Sequence, residues 1–211
     1  MKNLLSYALT LSAMIMPCAH AQVVVSPEIS ASAQAAVQEL GTEMIKGNFK
    51  FGNQKIYPRW KRRLAMRNGG MAKLDAKLTA AAQQKAILGL SVTGFKASKP
   101  TAFFSVWKAK KMDPNTNKPV KDANGNHIML DHWLAIVPTI TRVKVRDPQK
   151  GIMRELEETS YTVAIREKSS KTWTFLTGMK PTVKDLRGMF PTLPKDEKAL
   201  GLPKGSVREI K

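Results

Sequence analysis

Apolar positions recur with a helical period in the first part of the chain and with a strand period afterwards, and the change of period divides the sequence. Ile29, Ala33, Ala36, Val37, Leu40, Met44 and Ile45 fall on one helical face. Ser26-Pro27-Glu28 starts that helix: a capping hydroxyl, proline at the first helical position, and an acid at the positive end of the dipole. Gly47-Asn48 ends it. A second helix is predicted over 49–68, with Ile56, Tyr57, Trp60, Leu64 and Ala65 as its apolar stripe and a basic opposite side. Asn68-Gly69-Gly70 stops it. A third, alanine-rich helix over 71–90 turns Met71, Leu74, Leu78, Ala81, Ala82, Ala86 and Leu88 inward.

From Ser91 the period is two. Short strands are predicted over 91–98 and 101–108, where Phe103, Ser105 and Trp107 alternate with Phe104 and Val106. Residues 110–127 form a polar hairpin or loop, with turn signals at Asp113-Pro114-Asn115 and Asn124-Gly125-Asn126. Three long runs follow, over 133–146, 153–166 and 171–177, all dense in Val, Ile, Thr and aromatics. Asp147-Pro148-Gln149-Lys150-Gly151 and Glu167-Lys168-Ser169-Ser170 join them.

Charge sets the register of the first two runs. Placing Arg146 opposite Met153 puts Lys144 opposite Glu155 and Arg142 opposite Glu157, which is favourable across strands. Ile140 then faces Thr159, Ile136 faces Val163 and Leu134 faces Ile165. The other face carries Ala135, Val137, Thr139, Thr141 and Val143 beside Ala164, Thr162, Ser160, Glu158 and Leu156. A bend near Pro138 or Thr141 would let the sheet curl and make a pocket beneath the helices. A short helix over 181–189, an extended segment Phe190-Pro191-Thr192-Leu193-Pro194 and a basic, frayed tail complete the pattern.

Residues 1–21 read as a secretory signal peptide. Lys2 is the positive start, 4–16 the apolar stretch, and Ala19-His20-Ala21 a small-x-small cleavage site, giving a chain from Gln22. The organisation predicted is a signal peptide over 1–21, a linker over 22–28, a single domain over 29–203 and a basic tail over 204–211. The formal charge is +19, of which Lys2 alone leaves with the signal. Such an excess favours anionic partners, and export disfavours nucleic acid. Cys18 is the only cysteine, so an exported domain would hold together by its core without disulfides. The expected compartment is periplasmic or secreted, with no transmembrane segment after the signal.

Several stretches together carry a resemblance: Tyr57-Pro58, Asn68-Gly69-Gly70-Met71, Trp133-Leu134-Ala135-Ile136-Val137-Pro138, Lys171-Thr172-Trp173-Thr174-Phe175, and Leu186-Arg187-Gly188-Met189-Phe190-Pro191-Thr192-Leu193-Pro194. Over about residues 30 to 203 the chain resembles small exported bacterial proteins of the nuclear transport factor 2-like (cystatin-like cone) superfamily. The resemblance implies an α+β cone, with three N-terminal helices packed in the concavity of a strongly curved antiparallel sheet and a short C-terminal helix. The superfamily includes isomerases and many non-catalytic binders, so fold alone selects neither.

The leading functional expectation is a non-catalytic exported domain whose pocket binds a small molecule or an envelope component. Its lining would include Tyr57, Trp60, Trp133, Glu158 and Tyr161, with a homodimer through the sheet as a further expectation. The alternative is an isomerase or hydratase using Glu158 as base and Tyr57 or Tyr161 as donor. A third reading is an adaptor for an anionic envelope surface, through Arg59, Lys61, Arg62 and Arg63. His132 reads as a solvated strand-end histidine. No metal-ligand spacing, phosphate-binding glycine loop or nucleophile elbow is present, and no cofactor is expected.

Overall fold

The computed structural model describes residues 22–87, 89–113, 115–116, 118–147 and 150–210. The signal-peptide reading of 1–21 lies outside them, as do Leu88, Pro114, Pro148, Gln149 and the side chains of Ala86 and Trp107. The elements run α1 (Pro27–Ile45), α2 (Phe49–Gln54), α3 (Pro58–Arg67), α4 (Met71–Ile87), β1 (Ser91–Ala97), β2 (Ala102–Lys110), β3 (Met129–Arg146), β4 (Met153–Glu167), β5 (Thr174–Phe175), α5 (Val183–Met189) and β6 (Ser206–Ile210). The class is α+β, with one antiparallel sheet.

Among the described residues, four helices precede the sheet instead of three. Pro58 cannot continue a helix from upstream, and it holds Tyr57 at φ −55°, ψ 126°, so the helix expected over 49–68 is broken into α2 and α3. Asn48 caps α2 by accepting from the Phe51 N–H. Downstream, the Thr182 hydroxyl accepts from the Asp185 N–H and the Asp185 carboxylate accepts from the Thr182 N–H, a reciprocal cap that starts α5.

β3 and β4 pair without interruption from His132↔Glu167 to Arg146↔Met153. Lys144 faces Glu155, Arg142 faces Glu157 and Leu134 faces Ile165, the register that cross-strand charge predicts. The irregularity expected near Pro138 lies on the neighbouring strand. β1 and β2 run along the same edge of β3, with residues 98–101 bulging between Ala97↔Thr139 and Ala102↔Ile136. The Ser98 N–H donates to the Pro138 carbonyl at 2.9 Å, so the imide nitrogen of Pro138 faces that same edge. A break there leaves its missing N–H without a ladder partner to lose. A smaller shift between Val92 and Gly94 interrupts β1 again.

The third long run is reduced to two residues of strand. Its outer side pairs with the chain before α3: the Phe175 N–H donates to the Lys55 carbonyl and the Tyr57 N–H to the Phe175 carbonyl, each at 2.8 Å. The expected frayed tail is corrected too. Residues 206–210 form β6 along Glu155–Thr159 of β4, where Arg208 meets Glu157 and Glu209 meets Arg154 across the strands.

Both faces of the sheet are covered. Even-numbered β3 residues Leu134 and Ile136 join Phe104, Val163 and Ile165 against Trp60 and Leu64 of α3, Leu74 of α4 and Leu186 and Met189 of α5. Ala135 and Val137 join Phe103, Ala164 and Phe175 against Ala33, Val37 and Leu40 of α1. The leading helices are thus divided between the two faces, which corrects the expectation of a shared concavity. α1 also latches the outer edge of β1. Gln38 accepts from the Ala97 N–H at 2.9 Å and donates to the Phe95 carbonyl at 3.2 Å, while Gln34 donates to the Ala97 carbonyl at 2.9 Å.

Candidate functional site

The outer edge of β4 carries β5 only at Ala164–Ile165 and β6 only at Glu155–Thr159. Between them, at residues 160–162, the sheet has no neighbouring strand, and the chain from Leu176 to Pro181 arches past instead. The Leu176 N–H still donates to the Val163 carbonyl at 3.0 Å, so the arch leaves the sheet from there.

Behind this gap lies a cleft of about 430 Å³. Its floor is the sheet face on which Thr139 and Thr141 of β3 adjoin Glu158, Ser160 and Thr162 of β4. Strand alternation alone puts these side chains together. Leu40 and Met44, one turn apart on α1, supply one apolar wall, and Leu78, Ala81 and Ala82 of α4 supply another. Phe49, Gly52 and Asn53 of α2 and Phe95 of β1 close the sides.

Two local features fix that geometry. Phe95 packs directly on α1 because position 41 is glycine: a Cβ there would sit 1.8 Å from the ring. Trp60, fully buried, donates its indole N–H to the Thr177 carbonyl at 3.0 Å and braces the arch. Gly178 then turns the chain at φ +86°.

The polar rim is unevenly charged. Glu157 is buried and held by Arg142 at 2.9 Å and Arg208 at 2.6 Å, and those hydrogen bonds keep its carboxyl below the usual range. Glu158, one residue on, belongs to the opposite face and lines the cleft. Lys180 lines it from the arch, its Nζ 5.0 Å from the Tyr161 ring centroid. Burial pushes the Tyr161 phenol up, and its hydroxyl donates to the Pro181 carbonyl at 3.5 Å. The arrangement offers apolar walls, the floor hydroxyls of Thr139, Thr141, Ser160 and Thr162, the Glu158 carboxylate and the Lys180 ammonium to a molecule of modest size.

Of the residues expected to line a pocket, Glu158 and Tyr161 do so. Tyr57, Trp60 and Trp133 do not line this cleft. Tyr57 packs edge-on to His132 with centroids 6.1 Å apart and also against Phe190, and burial raises its phenol. Trp133 lies beneath the Lys168 ammonium, 4.3 Å from its ring centroid. His132 is buried, not solvated, because its strand position faces the core beside Val106. Burial lowers its imidazole pKa.

The basic cluster of α3 is divided as well. Lys61 pairs with Asp75 at 2.9 Å, and Arg63 lies 3.6 Å from Asp185. Arg67, on the basic side expected of this helix but outside the expected anion-binding cluster, shares that same carboxylate. Burial alone would raise the Asp185 carboxyl, but the Arg67 guanidinium and the Thr182 N–H and hydroxyl outweigh it and hold it at about 2. Lys180 and the α1, α2 and α4 walls were also missed as parts of a site. The amphipathic stripes containing Leu40, Met44, Leu78, Ala81 and Ala82 were visible, and only their convergence was not.

Among the described residues, no group of three or more His, Cys, Asp or Glu could hold a metal ion, and no helix is long and apolar enough to cross a membrane. No known family, curated protein or solved structure matches the chain.

Proposed function

We propose that the chain is a non-catalytic binding domain that takes a small amphipathic molecule into the cleft between the sheet and α1, α2 and α4. One observation carries the reading: Thr141, Glu158, Ser160 and Thr162 converge on a floor otherwise walled by apolar side chains. Small-molecule sites are built that way, with apolar walls giving affinity and a few polar groups setting orientation. The volume of about 430 Å³ falls within the range such sites occupy.

The curved sheet of the nuclear transport factor 2-like superfamily belongs to the same proposal, without the three helices sharing one concavity. β3 and β4 stay paired along their length while the strands on either side come in two pieces, which suits a sheet that bends. Export after cleavage at Ala21 is likewise part of it. The isomerase alternative is weakened by the position of Tyr57 outside the cleft, which leaves Glu158 and Tyr161 as its residues.

The test is titration with the neutral apolar dye Nile red. Saturable fluorescence enhancement is expected for the wild type and its loss for Ser160→Trp, which fills the floor. Unchanged dye binding in a folded Ser160→Trp protein would refute the assignment. For the enzymatic alternative, a substrate screen in which Glu158→Gln abolishes turnover would favour it over a pure binder.

A further inference from the structure

We propose that the groove between α3, the start of α4 and α5 binds the phosphate headgroup of an anionic amphiphile. The groove holds about 640 Å³ and is lined by Arg59, Arg62 and Arg63 together with Met66, Met71 and Met189. It lies apart from the cleft of the proposed function and shares none of its lining residues.

Three features separate it from a merely solvated basic face. The first is selection of side chains. Lys61, in the middle of the basic run, is drawn away to Asp75, and the groove receives arginines only. The planar guanidinium fork grips a tetrahedral oxyanion through two parallel N–H donors, which a lysine ammonium cannot do.

The second is a device that places Arg63. A Cβ at position 188 would lie 2.6 Å from its Nη1, so glycine there lets the guanidinium rest against α5. Asp185, three residues earlier on the same helix, lies 3.6 Å from it, but that carboxylate is shared with Arg67. One negative charge thus answers two positive ones, and Arg63, one of the two, lines the groove. Gly70 and Met71 line it where α4 begins, so the positive end of that helix adds to the same field.

The third is apolar. Met66 is 76% exposed and Met71 is 42% exposed beside these guanidiniums. A free phosphate ion gains nothing from exposed thioethers, whereas the glycerol and first methylenes of a lipid do. The formal charge of +19 draws the molecule to anionic bilayers in the same sense.

The test uses the full chain with vesicles of phosphatidylcholine, with and without phosphatidylglycerol, and a separate titration with glycerol 3-phosphate. Co-sedimentation is expected only with the phosphatidylglycerol vesicles. Arg62→Ala should weaken it by about tenfold or more, the scale of a charge-assisted hydrogen bond. Lys61→Ala removes the same formal charge and should change it by less than about twofold. Gly188→Ala displaces Arg63 and should also weaken it, with the circular dichroism spectrum retained. Equal losses at Lys61 and Arg62 would overturn the site in favour of diffuse charge. Saturable glycerol 3-phosphate binding without vesicle binding would overturn the lipid assignment, and binding to neither would overturn both. Nile red binding should be unaffected in the Arg62 variant, so this outcome and that of the cleft are read independently.

Discussion

Replacing Asp185 with Asn removes the carboxylate that Arg63 and Arg67 share and leaves the shape of the side chain in place. The structure sets the size of the effect. The folded carboxyl is held at about 2 against an ordinary value of 3.8; its side chain is only 7% exposed, while its partner Arg67 is 39% exposed. At 1.36 kcal/mol per pKa unit, the charged form is favoured on folding by about 2 kcal/mol. Because the folded pKa is depressed, this contribution is fully present above about pH 4, where the unfolded chain is also ionised, and is lost as pH falls towards 2. Urea unfolding of both proteins at a series of pH values measures it. The stability gap between wild type and Asp185→Asn should be about 2 kcal/mol at pH 6 and shrink below pH 4. Other carboxylates titrate in both proteins and cancel in the difference. A gap that stays constant down to pH 2 would mean that the carboxylate charge is not what the arginines stabilise.

Two further substitutions probe the cleft wall and the buried imidazole. Gly41→Ala gains about 1 kcal/mol of helix preference but forces a methyl into the Phe95 ring, and such overpacking costs about 1–3 kcal/mol. A lower thermal midpoint and weaker Nile red binding are expected, since Phe95 also lines the cleft. His132 is held neutral chiefly by burial. Glu167 and Asp131 pull its pKa back up, and Arg59 acts with burial. Its folded pKa lies below the unfolded one, so its contribution is present above about pH 6.5 and lost as pH falls. His132→Phe should flatten the fall in stability between pH 7 and pH 5 in chemical denaturation.

Much of the sheet was legible because strand chemistry is local. Alternation assigned the faces, and the Lys144–Glu155 and Arg142–Glu157 matches fixed the register of β3 and β4. That register places Glu158 with Thr141, Ser160 and Thr162, and these side chains do share the cleft. The helices were harder. An amphipathic stripe says that a helix buries one side and does not say which sheet face receives it, so α1 and α3 could not be sorted by pattern alone. β6 escaped because Ser206–Ile210 is polar and exposed along most of its length. Its pairing rests on Arg208 and Glu209 meeting charges some fifty positions earlier, a non-local match that periodicity does not register. Trp60 and Trp133 suit a pocket lining on pattern alone, but aromatics serve equally well as core. Trp60 instead uses its indole N–H as a brace.

The glutamines of α1 have a bearing on how this chain behaves at high concentration. An unpaired strand margin is a template on which a second polypeptide can add, and stacking of that kind seeds fibrils. Gln34 and Gln38 occupy the Phe95 carbonyl and the Ala97 N–H and carbonyl, which would otherwise do the recruiting. Self-templating along β1 therefore requires α1 to peel off first, and it would expose Val37 and Leu40 as it went. Resistance to fibril growth at this margin is thus tied to the docking strength of a single helix.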